Sequence, residues 1–171
     1  VFNLVITIST YLFFIKINLK KHKAFLFSIC LATLSYTISG TPFVDLHAVH
    51  FLLLATLIII INMNINNQYL WVVVTFLFFL SFFSKQVPVS YAVIAYSFIL
   101  FFYFILNRFF KNIFTIITSA AVIVISIFIF LKLYDIDFKN FYVQYFDYPI
   151  SIGQSRFIEI SFVYFFNKFK F

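Results

Sequence analysis

The sequence predicts an all-α integral membrane protein: a polytopic bundle of about six transmembrane helices, the start of a seventh, and one interfacial amphipathic helix. Three observations predict it. Hydrophobic residues make up 64% of the 171 and charged residues 10%, against about half and about a quarter in soluble domains. Mean hydropathy is +1.08. Long apolar runs alternate with brief polar breaks, and a backbone facing lipid satisfies its amides only within a helix or a closed barrel. The runs are continuous rather than alternating with period two, which selects helix over barrel.

The runs cover residues 1–15, 24–38, 43–61, 69–83, 89–106 and 113–131, and a further run opens at 157–166. About 20 helical residues cross a hydrocarbon core of roughly 30 Å. The third, fifth and sixth runs meet that length, whereas the second and fourth fall short. Residues 69–84 make about 24 Å of helix at 1.5 Å per residue, so Lys85 is expected below the outer interface, beside a hydrated cavity. Residues 134–148 read as the interfacial helix: Phe138, Phe141, Tyr142 and Tyr145 recur at i, i+3, i+4, i+7, opposite Asp137, Asn140, Gln144 and Asp147, and Pro149 ends it. Residues 1–171 are taken as one transmembrane domain, an internal fragment of a longer polytopic protein, because the chain opens on Val1 and stops soon after a new run begins.

Charge sets the expected sidedness. Lys16, Lys20, Lys21 and Lys23 share one short break, and Arg108 and Lys111 another. The opposite side carries Lys85, Lys132, Lys139 and Arg156 against Asp45, Asp135, Asp137 and Asp147. The positive-inside rule makes the side with the four early lysines cytoplasmic, in what reads as a bacterial inner membrane. Gly40 and Pro42, Pro88, and Pro149 and Gly153 then all fall on the other face. The cytoplasmic breaks have neither residue type and read as plain polar connectors. The clustered cations do not form a polar face, which argues against a nucleic-acid partner. The single cysteine, Cys30, lies in an apolar run, so neither a disulfide framework nor a thiolate metal site is expected.

Three stretches carry candidate chemistry. In the first, Asp45 falls in the first turn of the third run, where the helix dipole stabilises a carboxylate; it is a candidate for acceptor positioning, together with His47. His47 and His50 stand i, i+3 and are weak candidates for a divalent metal with Asp45. No further ligand is identifiable, and no cofactor is expected. In the second, Lys85 is the only charge between His50 and Arg108. A lysine near membrane depth marks a functional site, and its expected partner is a lipid phosphate or Asp45. In the third, Arg156 follows Gly153, Gln154 and Ser155, and its planar fork suits a phosphate or pyrophosphate. The alternative for Lys85 is snorkelling to ordinary headgroups, and for Arg156 an interfacial anchor for the following helix. No Walker loop, dinucleotide fingerprint or Ser–His–Asp arrangement is present.

Thr41-Pro42-Phe43-Val44-Asp45-Leu46-His47-Ala48, an apolar span, a polar break, a second span and Phe82-Phe83-Ser84-Lys85-Gln86-Val87-Pro88 follow in that order. This arrangement over residues 38–106 resembles the middle of GT-C membrane glycosyltransferases, those related to dolichyl-phosphate-mannose–protein mannosyltransferases and lipid A aminoarabinose transferases. Asp45 matches the family's acidic position, and Ser84, Lys85, Gln86 and Pro88 match its second motif. The resemblance implies transfer of a hexosyl or pentosyl group from a polyprenyl-phosphate donor to a glycan, lipid or protein acceptor on the non-cytoplasmic face. It places the main catalytic acid upstream of Val1, so the fragment alone is expected to be inactive. Lys85 and Arg156 are then the lipid-phosphate ligands. A permease or flippase of lipid-linked sugars or small solutes, and an O-antigen polymerase or ligase, are the alternative readings.

Overall fold

Wherever they are described, the apolar runs are helical. The computed structural model describes residues 2–37, 44–86 and 89–151, without the side chains of residues 2, 34–37 and 44–46. Six helices follow the six runs: α1 (Phe2–Lys16), α2 (Lys21–Thr37), α3 (Val44–Ile65), α4 (Gln68–Ser84), α5 (Val89–Leu106) and α6 (Phe110–Leu133). A short α7 (Phe138–Tyr142) leads into a π turn, Val143–Asp147. No strand occurs among the described residues. Among the described residues, three helices have the length and apolarity to cross a membrane, over His47–Ile65, Val89–Leu106 and Phe110–Leu133. Residues 3–16 of α1 and the whole of α4 are apolar but shorter. The surface is apolar as well: Phe98 is 59% exposed and Phe114 69% exposed. Such a surface suits lipid rather than water.

Eight described hydroxyls add no unmet polarity to their helices. Thr7, Thr10, Ser28, Thr56, Thr75, Ser97, Thr115 and Ser126 each donate to the carbonyl four residues back. The bond satisfies the hydroxyl within its own helix, which hydrocarbon surroundings demand.

The chain divides into two units, Val1–Phe128 and Ile129–Phe171. In the first, α1 and α2 form one antiparallel pair and α3 and α4 another. Small buried residues set the close approaches: Ala24, Ser28 and Ala32 along α2, and Ala48 and Ala55 along α3. Residues of this size let backbones pack tightly where lipid supplies no hydrophobic drive between helices. The core of the unit is Ile59, Trp71, Val74, Leu100 and Phe104. Trp71 and Phe104 meet edge to face, ring centroids 4.9 Å apart, a geometry worth about 0.5–1.5 kcal/mol beyond area burial.

Side-chain bonds fix the register of α3 against its neighbours. Ser81 donates to the Ala48 carbonyl at 2.6 Å, tying the end of α4 to the start of α3. At the other end of that pair, Asn62 clasps the turn: its amide donates to the Asn67 carbonyl at 2.9 Å, and its oxygen accepts from the Asn67 N–H at 2.8 Å. The Asn67 side chain in turn accepts from Tyr69 N–H and caps α4. Between α3 and α5, the Thr56 and Tyr96 hydroxyls bond at 2.8 Å, and the Tyr103 hydroxyl donates to the Met63 carbonyl at 2.8 Å. Both pairs are 40 residues apart, so α5 runs parallel to α3. Asn112 of α6 donates to the Asn66 side chain at 2.6 Å.

The connectors at the Asn66 end are less plain than their composition implies. With neither glycine nor proline, they turn on left-handed residues: Asn18 at φ 65°, Asn66 at φ 54° and Arg108 at φ 58°. At Asn18 and Arg108 the turn closes with a paired set of bonds. Asn18 N–H donates to the Ile15 carbonyl and Leu19 N–H to that of Phe14; Arg108 and Phe109 repeat this onto Ile105 and Phe104. These are Schellman closures, in which the last helical carbonyls are satisfied by the turn itself.

In the second unit, the same closure ends α6 at Asp135, φ 50°. Residues 134–137 are therefore a link rather than the start of a helix. Asp137, expected on a polar face, instead accepts from Lys139 N–H at 3.1 Å and caps α7. The aromatic pairs Phe141–Tyr145 and Tyr142–Phe146 lie 4.8 and 5.3 Å apart by centroid. Pro149 does not end the element: helical residues continue through 148–151. Tyr148 N–H still bonds Val143 five residues back, so Pro149 stands in the first turn of a new helical segment, where a missing N–H breaks nothing.

Candidate functional site

The register of α3, α4 and α5 determines which candidate residues share one end of the bundle. Ser81 bonds Ala48, so the end of α4 and the start of α3 are level. The 40-residue offset between α3 and α5 brings Val89 and Ser90 level with Val49 and His50. Asp45, the second residue of α3, therefore lies by backbone at the same end as Lys85. The Asp45 side chain falls outside the described residues, as do Gly40, Pro42, Pro88, Gly153 and Arg156.

Lys85 caps α4 in an extended conformation, φ −158° and ψ 123°, its N–H bonded to the Ser81 carbonyl at 3.1 Å. Its side chain is half-buried. One residue on, the Gln86 carbonyl accepts Ser90 N–H at 2.8 Å and holds the start of α5 against the turn. Ser84, part of the same motif, is committed to the Leu80 carbonyl.

His47 is half-buried, while His50 is only 2% exposed. Neither His50 ring nitrogen has a hydrogen-bond partner among the described residues. The Ser81 hydroxyl, one helix away, is already occupied by Ala48. A buried imidazole of this kind has capacity for one donor and one acceptor contact. No cluster of three or more His, Cys, Asp or Glu side chains able to hold a metal occurs among the described residues. The set of Asp45, His47 and His50 is not covered by that statement, since the Asp45 carboxylate is outside them.

Between α4, α5 and α6 lies an apolar cleft of about 520 Å³. Thr75, Phe78, Phe79 and Phe82 form its α4 wall, Val93, Ser97 and Phe101 its α5 wall, and Ile113, Ile117 and Ala120 its α6 wall. Phe82 is three residues before Lys85. An amphiphile with an apolar tail and a polar head fits that sequence of surfaces along one helix.

The polar network at the opposite end escaped sequence reasoning. Asn62, Asn66, Asn67 and Asn112 read as loop formers, yet Asn62 and Asn112 are 0% and 2% exposed. Tyr96 and Tyr103 carry a signal, standing seven residues apart on one face of a run whose other polar side chains are Ser90, Tyr91 and Ser97. They are the two α5 residues that bond α3. Comparison with known proteins adds nothing to this geometry: no protein-family model, curated protein or solved structure matches the chain.

Proposed function

We propose that the chain is the membrane core of a glycosyltransferase that moves a sugar from a polyprenyl-phosphate donor to a glycan, lipid or protein acceptor. On this reading all six helices and a seventh cross the membrane, the turn bearing Lys16 to Lys23 is cytoplasmic, and the aromatic face of α7 and the π turn lies in an interface. The reading draws on the likeness of the Asp45 and Lys85 motifs to GT-C enzymes. The observation that carries it is that the Ser81–Ala48 bond sets the end of α4 level with the start of α3, while Phe82, three residues before Lys85, lines the apolar cleft.

The chemistry follows from that placement. The departing lipid phosphate gains negative charge as the sugar–oxygen bond breaks, and a cation at that depth stabilises it more than the ground state. Lys85 supplies that charge, Asp45 and His47 orient the acceptor, and a carboxylate takes the acceptor's proton. The cleft holds the first isoprene units of the donor.

The test is transfer of radiolabelled sugar from polyprenyl phosphate in membranes containing the full-length protein. Lys85→Ala lowers transfer by about 100-fold, the scale for losing one electrostatic stabiliser, and Lys85→Arg retains part of it. Transfer unchanged in Lys85→Ala overturns the assignment. Passage of the intact lipid-linked sugar across the bilayer without cleavage would replace it with a permease.

A further inference from the structure

We propose that the groove between α1 and α3 is a binding site for an anionic phospholipid, one acyl chain lying in the groove and the phosphate at Lys16 and Asn18. The inference is independent of the glycosyltransferase reading and concerns the other end of the bundle. The groove has a volume of about 660 Å³ and is open along one side. Leu12 and Phe13 of α1 face Leu54, Leu57, Ile58 and Ile61 of α3, and Lys16 and Asn18 close one end. Apolar walls leading to a single cationic and amide-bearing end match a lipid tail leading to a phosphate.

Charge selects the headgroup. Up to Phe128 the only acidic residue is Asp45, near the start of α3. The groove instead ends beside the last turns of α1 and α3. At that end lie Lys16, Lys20, Lys21 and Lys23, and, through the Asn112–Asn66 and Tyr103–Met63 bonds, Arg108 and Lys111. All six are exposed. Six cations with no acid near them among the described residues of the first unit attract phosphate, and each basic residue near an anionic surface strengthens binding about fivefold. A second copy of this chain would bring a like-charged end to the same place, which disfavours it as occupant. A zwitterionic lipid offers the same tail but no net charge to repay the desolvation of the lysines.

The experiment uses the whole chain with its native tryptophan silenced by Trp71→Phe and a reporter introduced by Leu12→Trp, at a groove position that is 59% exposed and tolerates bulk. A second chain carries Leu106→Trp instead, at the same end but 81% exposed on α5 and outside the groove. Each is reconstituted in phosphatidylcholine vesicles containing dibrominated phosphatidylglycerol or dibrominated phosphatidylcholine. The expected result is about fivefold stronger quenching of the groove reporter by the anionic lipid, reduced to parity by Lys16→Gln/Lys20→Gln or by molar salt. Equal quenching by the two lipids, or selectivity surviving loss of both lysines, overturns the proposal. Equal selectivity at the Leu106 position would show general surface attraction and overturn the groove as the site. If the reporter chains fail to reconstitute, native mass spectrometry of the unaltered chain decides: preferential retention of phosphatidylglycerol over phosphatidylcholine supports it, and indifference overturns it.

Discussion

Replacing Asn62 tests the clasp that closes the α3–α4 turn. The side chain is fully buried, donates to the Asn67 carbonyl at 2.9 Å and accepts from the Asn67 N–H at 2.8 Å. Neutral hydrogen bonds of this kind contribute about 0.5–1.5 kcal/mol each, so the pair is worth about 1–3 kcal/mol. Asn62→Ala also leaves a small cavity, whereas Asn62→Leu keeps the volume and removes both bonds; comparing them separates packing from hydrogen bonding. The loss should concentrate in the α3–α4 pair, because Asn67 is itself the cap of α4 and is held in place by the clasp. Equilibrium unfolding in mixed micelles at rising SDS mole fraction, followed by Trp71 fluorescence and helical circular dichroism, measures it. Both variants should lose at least about 1 kcal/mol. An Asn62→Leu chain within about 0.3 kcal/mol of the unaltered one would refute the reasoning and reduce the clasp to a contact of no energetic weight.

Other expectations are open to the same assay or to simple spectroscopy. Ser81→Ala removes a single interhelical bond whose acceptor stays engaged within α3, so its cost should be about 0.6 kcal/mol, clearly below that of Asn62→Leu; the reverse order would sink the register argument. Trp71 is the only tryptophan and is fully buried, with its indole N–H unpartnered among the described residues. Its emission should be blue-shifted and resistant to iodide, and Phe104→Ala should cost about 3–5 kcal/mol and shift the emission to the red. Arg108→Gly relieves a left-handed turn that costs an ordinary residue about 1–2 kcal/mol and should raise stability by about 0.5 kcal/mol after the flexibility of glycine is counted. Asn18→Gly should gain less, since asparagine tolerates that region; an equal or larger gain would contradict the turn geometry. In a Cys30→Ser background, single cysteines at His47 and Lys85 should react with a membrane-impermeant thiol reagent from the same side, and one at Lys20 from the other.

The helices were legible to within a few residues because lipid-compatible segments leave the backbone no alternative. The fifth run coincides with α5, and the fourth differs from α4 by one residue at each end. By composition the third run ends at Ile61, but α3 runs on to Ile65, since Asn62 turns inward to the next helix rather than outward to a loop. Asn62 and Asn112 could not be assigned from spacing, because their partners, Asn67 and Asn66, are defined by how two helix ends meet. Pro149 misled for a local reason: a π turn just before it reset the hydrogen-bond ladder. At the candidate site, the motifs carrying Asp45 and Lys85 were visible as sequence. That they end helices at one level follows only from the Ser81–Ala48 bond. His50 is visible in the sequence as a weak metal candidate, but its full enclosure without hydrogen-bond partners among the described residues is not.

The asparagine network separates two jobs that many membrane proteins assign to the same residues. Amide groups, which carry no net charge, anchor the helix ends around Asn66. The neighbouring lysines are therefore spare as far as folding is concerned. Raising ionic strength, which screens exposed charges over a few ångströms, should loosen whatever those lysines hold while leaving the scaffold beneath them as firm as before.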